Sequence, residues 1–399
     1  MAVSALESLR QISNLQRVWE EFLHRTGGRS APGIDGITPA VFRDQSRWRL
    51  RKIGDELRDG YCFSALRGLA MPKKDVSKLR LICVPTVADR IVQRALLTVI
   101  EGQSAKLGIL NTVSYGFVRD VGGLKRGVQG AHKLAVKLRR EAPWAFKADI
   151  SRFFDTIQRE ELARNFCRAF RQKSLSGLVR GVIGCEVDAD GPRVAAAISQ
   201  NKIVCGVGLR QGMPLSPILS NFLLRNFDSV LAKAHNMVRY ADDLVVFTKT
   251  EAECLEAAQL VEEELGKLHL TLSTTKSGIC RPDEAVEFLG MELRRKGSSG
   301  YELAVSEAQF GQIRSRFAAY HDFDLIHAQD LDASALFRRL DQMRLGYLSA
   351  YEAADNYADV DRRTAQWTQE CARKVYGTIF GATAISKLSA KQLKFLMLA

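Results

Sequence analysis

Tyr240-Ala241-Asp242-Asp243 sets two adjacent carboxylates between two short apolar runs, Met237-Val238 before it and Leu244-Val245-Val246-Phe247 after it. Short apolar runs on either side of a turn read as paired strands, so the two acids fall at the tip of a hairpin. Asp is common in hairpin turns, and a turn alone would explain the pair. About ninety residues upstream, however, Phe146-Lys147-Ala148-Asp149 ends another apolar strand on a third carboxylate. Three Asp on neighbouring strand ends suit a pair of Mg²⁺ ions, one activating an attacking oxygen and the other stabilising a leaving oxygen. That chemistry is phosphoryl transfer and points to a nucleic-acid polymerase.

Charge agrees with such a partner. The 399 residues carry 58 Lys+Arg against 45 Asp+Glu, a net charge of +13, and a basic surplus favours a polyanion. A solvated basic surface would give the same balance. The eight cysteines (62, 83, 167, 185, 205, 254, 280 and 371) are scattered, with no paired spacing and no neighbouring His at zinc spacing. Reduced thiols follow, and zinc is not expected. The N-terminus has no apolar signal core and no run reaches membrane-spanning length, so a cytoplasmic protein without a membrane partner is expected.

The chain shows no internal repeat. Residues 4–26 read as one helix with Leu6, Leu9, Ile12, Leu15, Val18, Trp19 and Phe22 on one face, ended by Gly27, Gly28 and Gly33. Strands are expected at 79–85 and 145–149, and helices at 89–101, 159–170 and 250–268. Ser216 as a hydroxyl N-cap, with Pro217 in the first turn, opens a helix running to about residue 234. Beyond Gly300 the pattern turns mostly helical. The cluster Lys296-Gly297-Ser298-Ser299-Gly300 is read as a domain boundary.

Further motifs stand in a fixed order. Asp149-Ile150-Ser151-Arg152-Phe153-Phe154-Asp155 comes first, then Gly206 to Pro217 with Gln211-Gly212 at its centre. The Tyr240–Asp243 segment follows, then Leu270 to Lys276, then Phe288-Leu289-Gly290. This series resembles the palm motifs of reverse transcriptases. Upstream, Gly33-Ile34-Asp35-Gly36-Ile37-Thr38, Met71-Pro72-Lys73, Arg80-Leu81 and Ser114-Tyr115-Gly116-Phe117 resemble the fingers of the bacterial, group II intron-like branch. The resemblance covers residues from roughly 25 to 295. It implies an α+β right-hand polymerase fold with fingers, a palm of mixed helix and antiparallel sheet, and a helical thumb. Fingers are expected over 1–140, palm over 141–299 with a fingers insertion around 165–205, and thumb and tail over 300–399.

The resemblance also implies roles. Asp149, Asp242 and Asp243 would be the catalytic metal ligands, the Ile150 carbonyl reaching a metal as well, with Mn²⁺ a substitute for Mg²⁺. Phe154, five residues after Asp149, would pack on the sugar of the incoming nucleotide and leave no room for a 2′-hydroxyl. Adjacent strand positions face opposite sides, so Phe153 or Phe154 should be core. Lys73 and Arg80, seven apart across a strand pair, would reach the triphosphate, with Lys74 an alternative to Lys73. Gln211 would frame the nucleotide, while Gly208 and Gly212 let backbone approach nucleotide and template. Lys276 would be either the proton donor to leaving pyrophosphate or a surface lysine. Arg119, Lys125 and Arg126 would grip template backbone or line a solvated face. Tyr347, with Arg339 and Arg344 before it, resembles a thumb helix that tracks the duplex, although helical aromatics are often core.

Within that family, the chain lacks the thumb signatures of retron enzymes and the Ser-Gln form seen in diversity-generating enzymes. About 100 residues follow the palm, enough for a thumb and short tail. It is most similar to compact, free-standing defence-associated enzymes, abortive-infection type included. That likeness implies a structured non-coding RNA template encoded nearby, dNTP substrates and a cDNA product. The tail from Ser386 to Ala399 would be a docking helix or would close the thumb. The alternatives are a group II intron-type reverse transcriptase or maturase, a CRISPR-associated reverse transcriptase, an RNA polymerase of similar palm, and a non-catalytic RNA-binding or splicing protein.

Overall fold

The computed structural model describes residues 4–73, 77–120, 123, 125–297 and 300–395. Its strands are β1 (Leu66–Pro72), β2 (Leu79–Val84), β3 (Trp144–Asp149), β4 (Val187–Asp188), β5 (Asn236–Tyr240), β6 (Asp243–Thr248), β7 (Gly278–Cys280), β8 (Val286–Phe288), β9 (Met291–Lys296) and β10 (Gly300–Ala304). Two compact units divide the chain. The first is Met1–Gly127, Ala148–Val246 and Leu255–Gly278; the second is Val128–Lys147, Phe247–Cys254 and Ile279–Ala399. No helix among the described residues is long and apolar enough to cross a membrane.

In the first unit, the single helix expected over 4–26 is two, Ala5–Arg10 and Ile12–Thr26. Gln11 is extended between them (φ −57°, ψ 134°), and the Asn14 amide donates to the freed Leu9 carbonyl. The break resets the helical phase, which leaves Ile12 exposed while Leu9, Leu15, Val18, Trp19 and Phe22 stay buried. The Ile12–Thr26 helix packs on Val87–Glu101, itself buried along Ile91, Val92, Ala95, Leu96 and Ile100. Gly33 has a steric reason: a Cβ there would lie 2.5 Å from the Thr86 Cα, where the loop meets the start of that helix.

Two sheets build the working surface. In one, β1 pairs antiparallel with β2 and parallel with β4. In the other, β5, β6, β3 and β7 lie side by side in that order. The Ser216–Ala234 helix packs on β5. Ser216 is not its N-cap, a position Leu215 holds; the Ser216 hydroxyl instead donates to the Arg210 carbonyl at 2.9 Å and pins the preceding loop. Asp228 on this helix and Arg239 on β5 form an ion pair with no solvent exposure on either side chain.

The second unit holds a sheet in the order β10-β9-β8. Here the expected domain boundary becomes a hairpin turn: Lys296 pairs with Gly300 across β9 and β10, and Ser298-Ser299 fall outside the described residues. Gly therefore marks a tight reversal within one unit rather than a linker. The helices Glu307–Ala318, Ala333–Ala350 and Tyr357–Phe380 follow, with Phe310, Phe317 and Trp367 in ring contact between the first and the third. A last short helix spans Ala390–Phe395, and the tail beyond it lies outside the described residues.

Candidate active site

One cavity of about 410 Å³ in the first unit gathers most of the singled-out residues. Lys73, Arg80, Asp149, Ile150, Phe154, Gln211, Asp242 and Lys276 all line it. Strand pairing accounts for the convergence. Asp149 ends β3, and the Ile150 N–H donates to the Asp242 carbonyl at 3.0 Å, which holds the two acidic positions side by side. On the other flank, Ser151 N–H donates to Thr271 and Ser273 N–H to Asp149, bridging Ile150 to Leu272. That bridge uses neither polar backbone group of Ile150, so its carbonyl stays outside these bonds. The Ser277 hydroxyl accepts from Asp149 N–H at 3.2 Å. Ala241, at φ 57°, makes the turn that brings up Asp242.

Lys276 sits 3.1 Å from an Asp149 carboxylate oxygen, so a cation already lies against this acid. Asp149 and Asp242 offer the all-oxygen donors that a hard divalent ion prefers. Asp243 opens β6 and is not in the cavity lining. Among the described residues no three His, Cys, Asp or Glu side chains stand together as a metal-holding group. The donor chemistry fits a divalent ion, with Asp149 and Asp242 of the three expected ligands lining the cavity.

Phe153 and Phe154 lie on a short helix, Phe153–Thr156, not on a strand. One is core all the same: Phe153 is buried and Phe154 is half-buried. Asp155 was not singled out as a site residue, yet it lines the cavity. Burial pushes its carboxyl above the usual range, against the pull of Arg210, Arg152 and Lys73. Arg80 pairs with Met71 across β1 and β2, and Lys73 N–H donates to the Lys78 carbonyl, so both cations belong to one hairpin. Lys74, the alternative to Lys73, lies outside the described residues.

Gln211 is held by its own carbonyl, which accepts from Cys83 N–H on β2 at 2.7 Å. Gly212 is required by the same contact, since a Cβ would fall 2.4 Å from the Cys83 oxygen. Gly208 abuts the Asp155 backbone in the same way, with a Cβ 2.7 Å from its carbonyl oxygen. Both glycines let the loop pack directly on neighbouring backbone. Glu186 braces this loop from behind, accepting from Gly206 N–H, Arg159 and Arg210. Burial pushes its carboxyl up, but those donors outweigh it and hold it below its ordinary value.

Arg126 departs from the template-gripping role. It is buried, its guanidinium donates to the Ser114 and Asn111 carbonyls, and it stacks on Tyr115 at 4.9 Å. Its two terminal nitrogens hold the Asn111–Ser114 turn. Arg119 and Lys125 remain exposed, ion-paired with Glu101 and Asp120. In the second unit, Tyr347 stacks on Tyr351 and accepts from Arg316 at 3.2 Å. It lines a groove of about 700 Å³ with Arg316, Tyr320, Arg339 and Gln342.

Residues 71–293 match the family described as "Reverse transcriptase (RNA-dependent DNA polymerase)". The chain belongs to that family and is a nucleotidyltransferase, an RNA-directed DNA polymerase. It is 28% identical over 339 residues to Protein YkfC of Escherichia coli strain K12, covering 73% of this chain and 83% of that one. It is 25% identical over 210 residues to the Group II intron-encoded protein LtrA of Lactococcus lactis subsp. cremoris, covering 52% of this chain and 31% of LtrA. A structure of telomerase from Candida albicans, in complex with a fragment of telomeric RNA, aligns at a TM-score of 0.40 and 10% identity. That alignment covers 91% of this chain and 69% of the other, a likeness too distant to bear on the fold.

Proposed function

We propose that the enzyme extends a primer with dNTPs on a dedicated structured non-coding RNA, in the cytoplasm, as part of anti-phage defence. The observation that carries the polymerase part is the single cavity uniting Asp149, Asp242, Phe154, Lys73 and Arg80. Asp149, Asp242 and Asp243, with the Ile150 carbonyl, would hold the divalent ions, Mg²⁺ or Mn²⁺ in its place. Ions bound there would supply Lewis-acid activation of the primer oxygen and charge stabilisation for the leaving pyrophosphate. Lys73 and Arg80 bind the triphosphate, Arg80 offering a planar fork and Lys73 a point charge. Gln211 frames the nucleotide, and Lys276 donates a proton from Nζ to the departing pyrophosphate. The groove beside Tyr347 takes the duplex, and Arg119 and Lys125 contact template backbone.

Phe154 sets the sugar preference in this reading. Phe154→Ala should raise the efficiency of rNTP incorporation relative to dNTP by roughly 10- to 100-fold, the scale of one apolar wall in a pocket. Paired single-nucleotide extension assays with dNTP and rNTP measure the ratio. An unchanged ratio would move the gate to another residue and reopen the RNA-polymerase alternative.

The net charge of +13 supports the RNA partner. Binding should weaken by tenfold or more between about 50 and 200 mM salt if several phosphates are neutralised. Similarity to a group II intron-encoded protein favours a second reading, in which an intron RNA is the partner. RNA recovered with the protein from its native cells decides between them when sequenced. One dominant short transcript supports the dedicated template, intron RNA supports the second reading, and a random population overturns both.

A further inference from the structure

The Pro192–Gln200 helix and the residue after it hold the β1–β2 hairpin at two points. Gln200 accepts from Leu79 N–H at 2.9 Å and donates to the Ser77 carbonyl. Asn201 donates through Nδ2 to the Leu79 carbonyl at 2.9 Å and the Ala197 carbonyl at 2.7 Å. Its Oδ1 accepts from Lys73 Nζ at 2.9 Å. These three partners fix the amide's orientation. A flipped amide would set N–H against ammonium and oxygen against two carbonyls. The helix is also bolted to the hairpin by packing, for a Cβ at Gly68 would lie 2.7 Å from Val194. Asn201 and Lys73 both line the cavity with Asp149 and Asp242.

The chemistry of the contact is specific. Lys73 is exposed, and a free lysine stem loses up to ~2 kcal/mol of rotamer entropy when it is fixed. The same cavity holds three carboxylates, Asp149, Asp155 and Asp242, to which a loose ammonium would be drawn. A neutral amide oxygen holds the ammonium in place yet leaves its charge for an arriving anion, which a carboxylate would not. We infer that Asn201 is a positioning residue that holds the Lys73 ammonium at the cavity for the incoming triphosphate. This rests on the reading that Lys73 binds that triphosphate.

A double-mutant cycle of Lys73→Ala and Asn201→Ala tests it, with KM for dNTP and kcat measured on a fixed primer–template. Asn201→Ala should raise KM for dNTP roughly tenfold with kcat within about twofold, and weaken inhibition by inorganic pyrophosphate to match. In the Lys73→Ala background the Asn201 change should add nothing, because the amide acts only through the ammonium. If Lys73→Ala leaves KM unchanged, the triphosphate reading fails, and the inference with it. If Lys73→Ala raises KM but Asn201→Ala does not, the inference alone fails. It also fails if the two effects simply add, since Asn201 would then be supporting the hairpin structurally. Asn201→Ser, which keeps a short acceptor, should recover part of the loss only if positioning is the cause.

Discussion

Asp242→Ala combined with Asp243→Ala is expected to abolish primer extension while the protein stays folded. The loss should exceed about 10³-fold, since metal-held charge stabilisation contributes several kcal/mol and each 1.36 kcal/mol is tenfold in rate. Asp149→Ala should match it. The turn that carries Asp242 is held through its backbone, the Asp242 carbonyl accepting from Ile150 N–H. The acid on Asp149 meets Lys276, whose side chain is 66% exposed, so the pair is worth little to stability. Extension assays beside thermal melts check both halves. Retained activity in the double variant would remove these carboxylates from the chemistry. Of the three, Asp243 carries the sharper question, because it is absent from the cavity lining. If Asp243→Ala alone retains most activity, the ions are held by Asp149 and Asp242 without it.

The strands and the motif order were readable because each strand is a short apolar run closed by turn residues or a charge. The segments 144–149 and 236–248 carry that pattern, and strand pairing then delivers Asp149 to Asp242. Other features left no local signal. Gln11 has no breaker character, yet its extended backbone splits the first helix. The Lys296–Gly300 cluster gives the same punctuation for a linker and for a hairpin turn, and only the pairing of β9 with β10 separates the two. Arg126 looks like any basic loop residue until its two carbonyl acceptors, more than ten positions back in the chain but brought to it in space by the Asn111–Ser114 turn, are seen. Asn201 is the extreme case. It lies 128 positions from the lysine it holds, and a single Asn after an apolar helix reads as an ordinary helix end. Periodicity reports which side of an element faces the core. It does not report which distant polar group a side-chain amide will meet.

Asp228→Ala is expected to be the most damaging replacement outside the cavity. Arg239 is wholly buried and donates to both Asp228 oxygens at 2.6 Å, to Asn221 at 3.2 Å, to the Ala241 carbonyl at 2.9 Å and to Ser114 at 3.0 Å. Asp228 also accepts from Asn111 at 2.8 Å. Removing the carboxylate strands a guanidinium in the interior with no counter-charge, at a cost of about 3–5 kcal/mol. Urea denaturation should show a loss of that size, whereas Lys267→Ala, at an exposed ion pair, should leave the midpoint where it was. Replacing both partners by apolar residues, Asp228→Leu with Arg239→Met, should recover much of the stability, because the desolvation cost of two ions disappears with them. It should not recover activity in full. Arg239 ties the Ala241 carbonyl at the left-handed turn just before Asp242, and the β5 backbone it belongs to pairs with Val113 and Tyr115. The buried pair therefore sets where the Asp242 turn rests as well as how firmly the sheet holds. A stable but slow double variant, with KM for dNTP near that of the parent and kcat reduced, is the expected outcome. An unchanged midpoint for Asp228→Ala would show that the pair adds nothing to the fold.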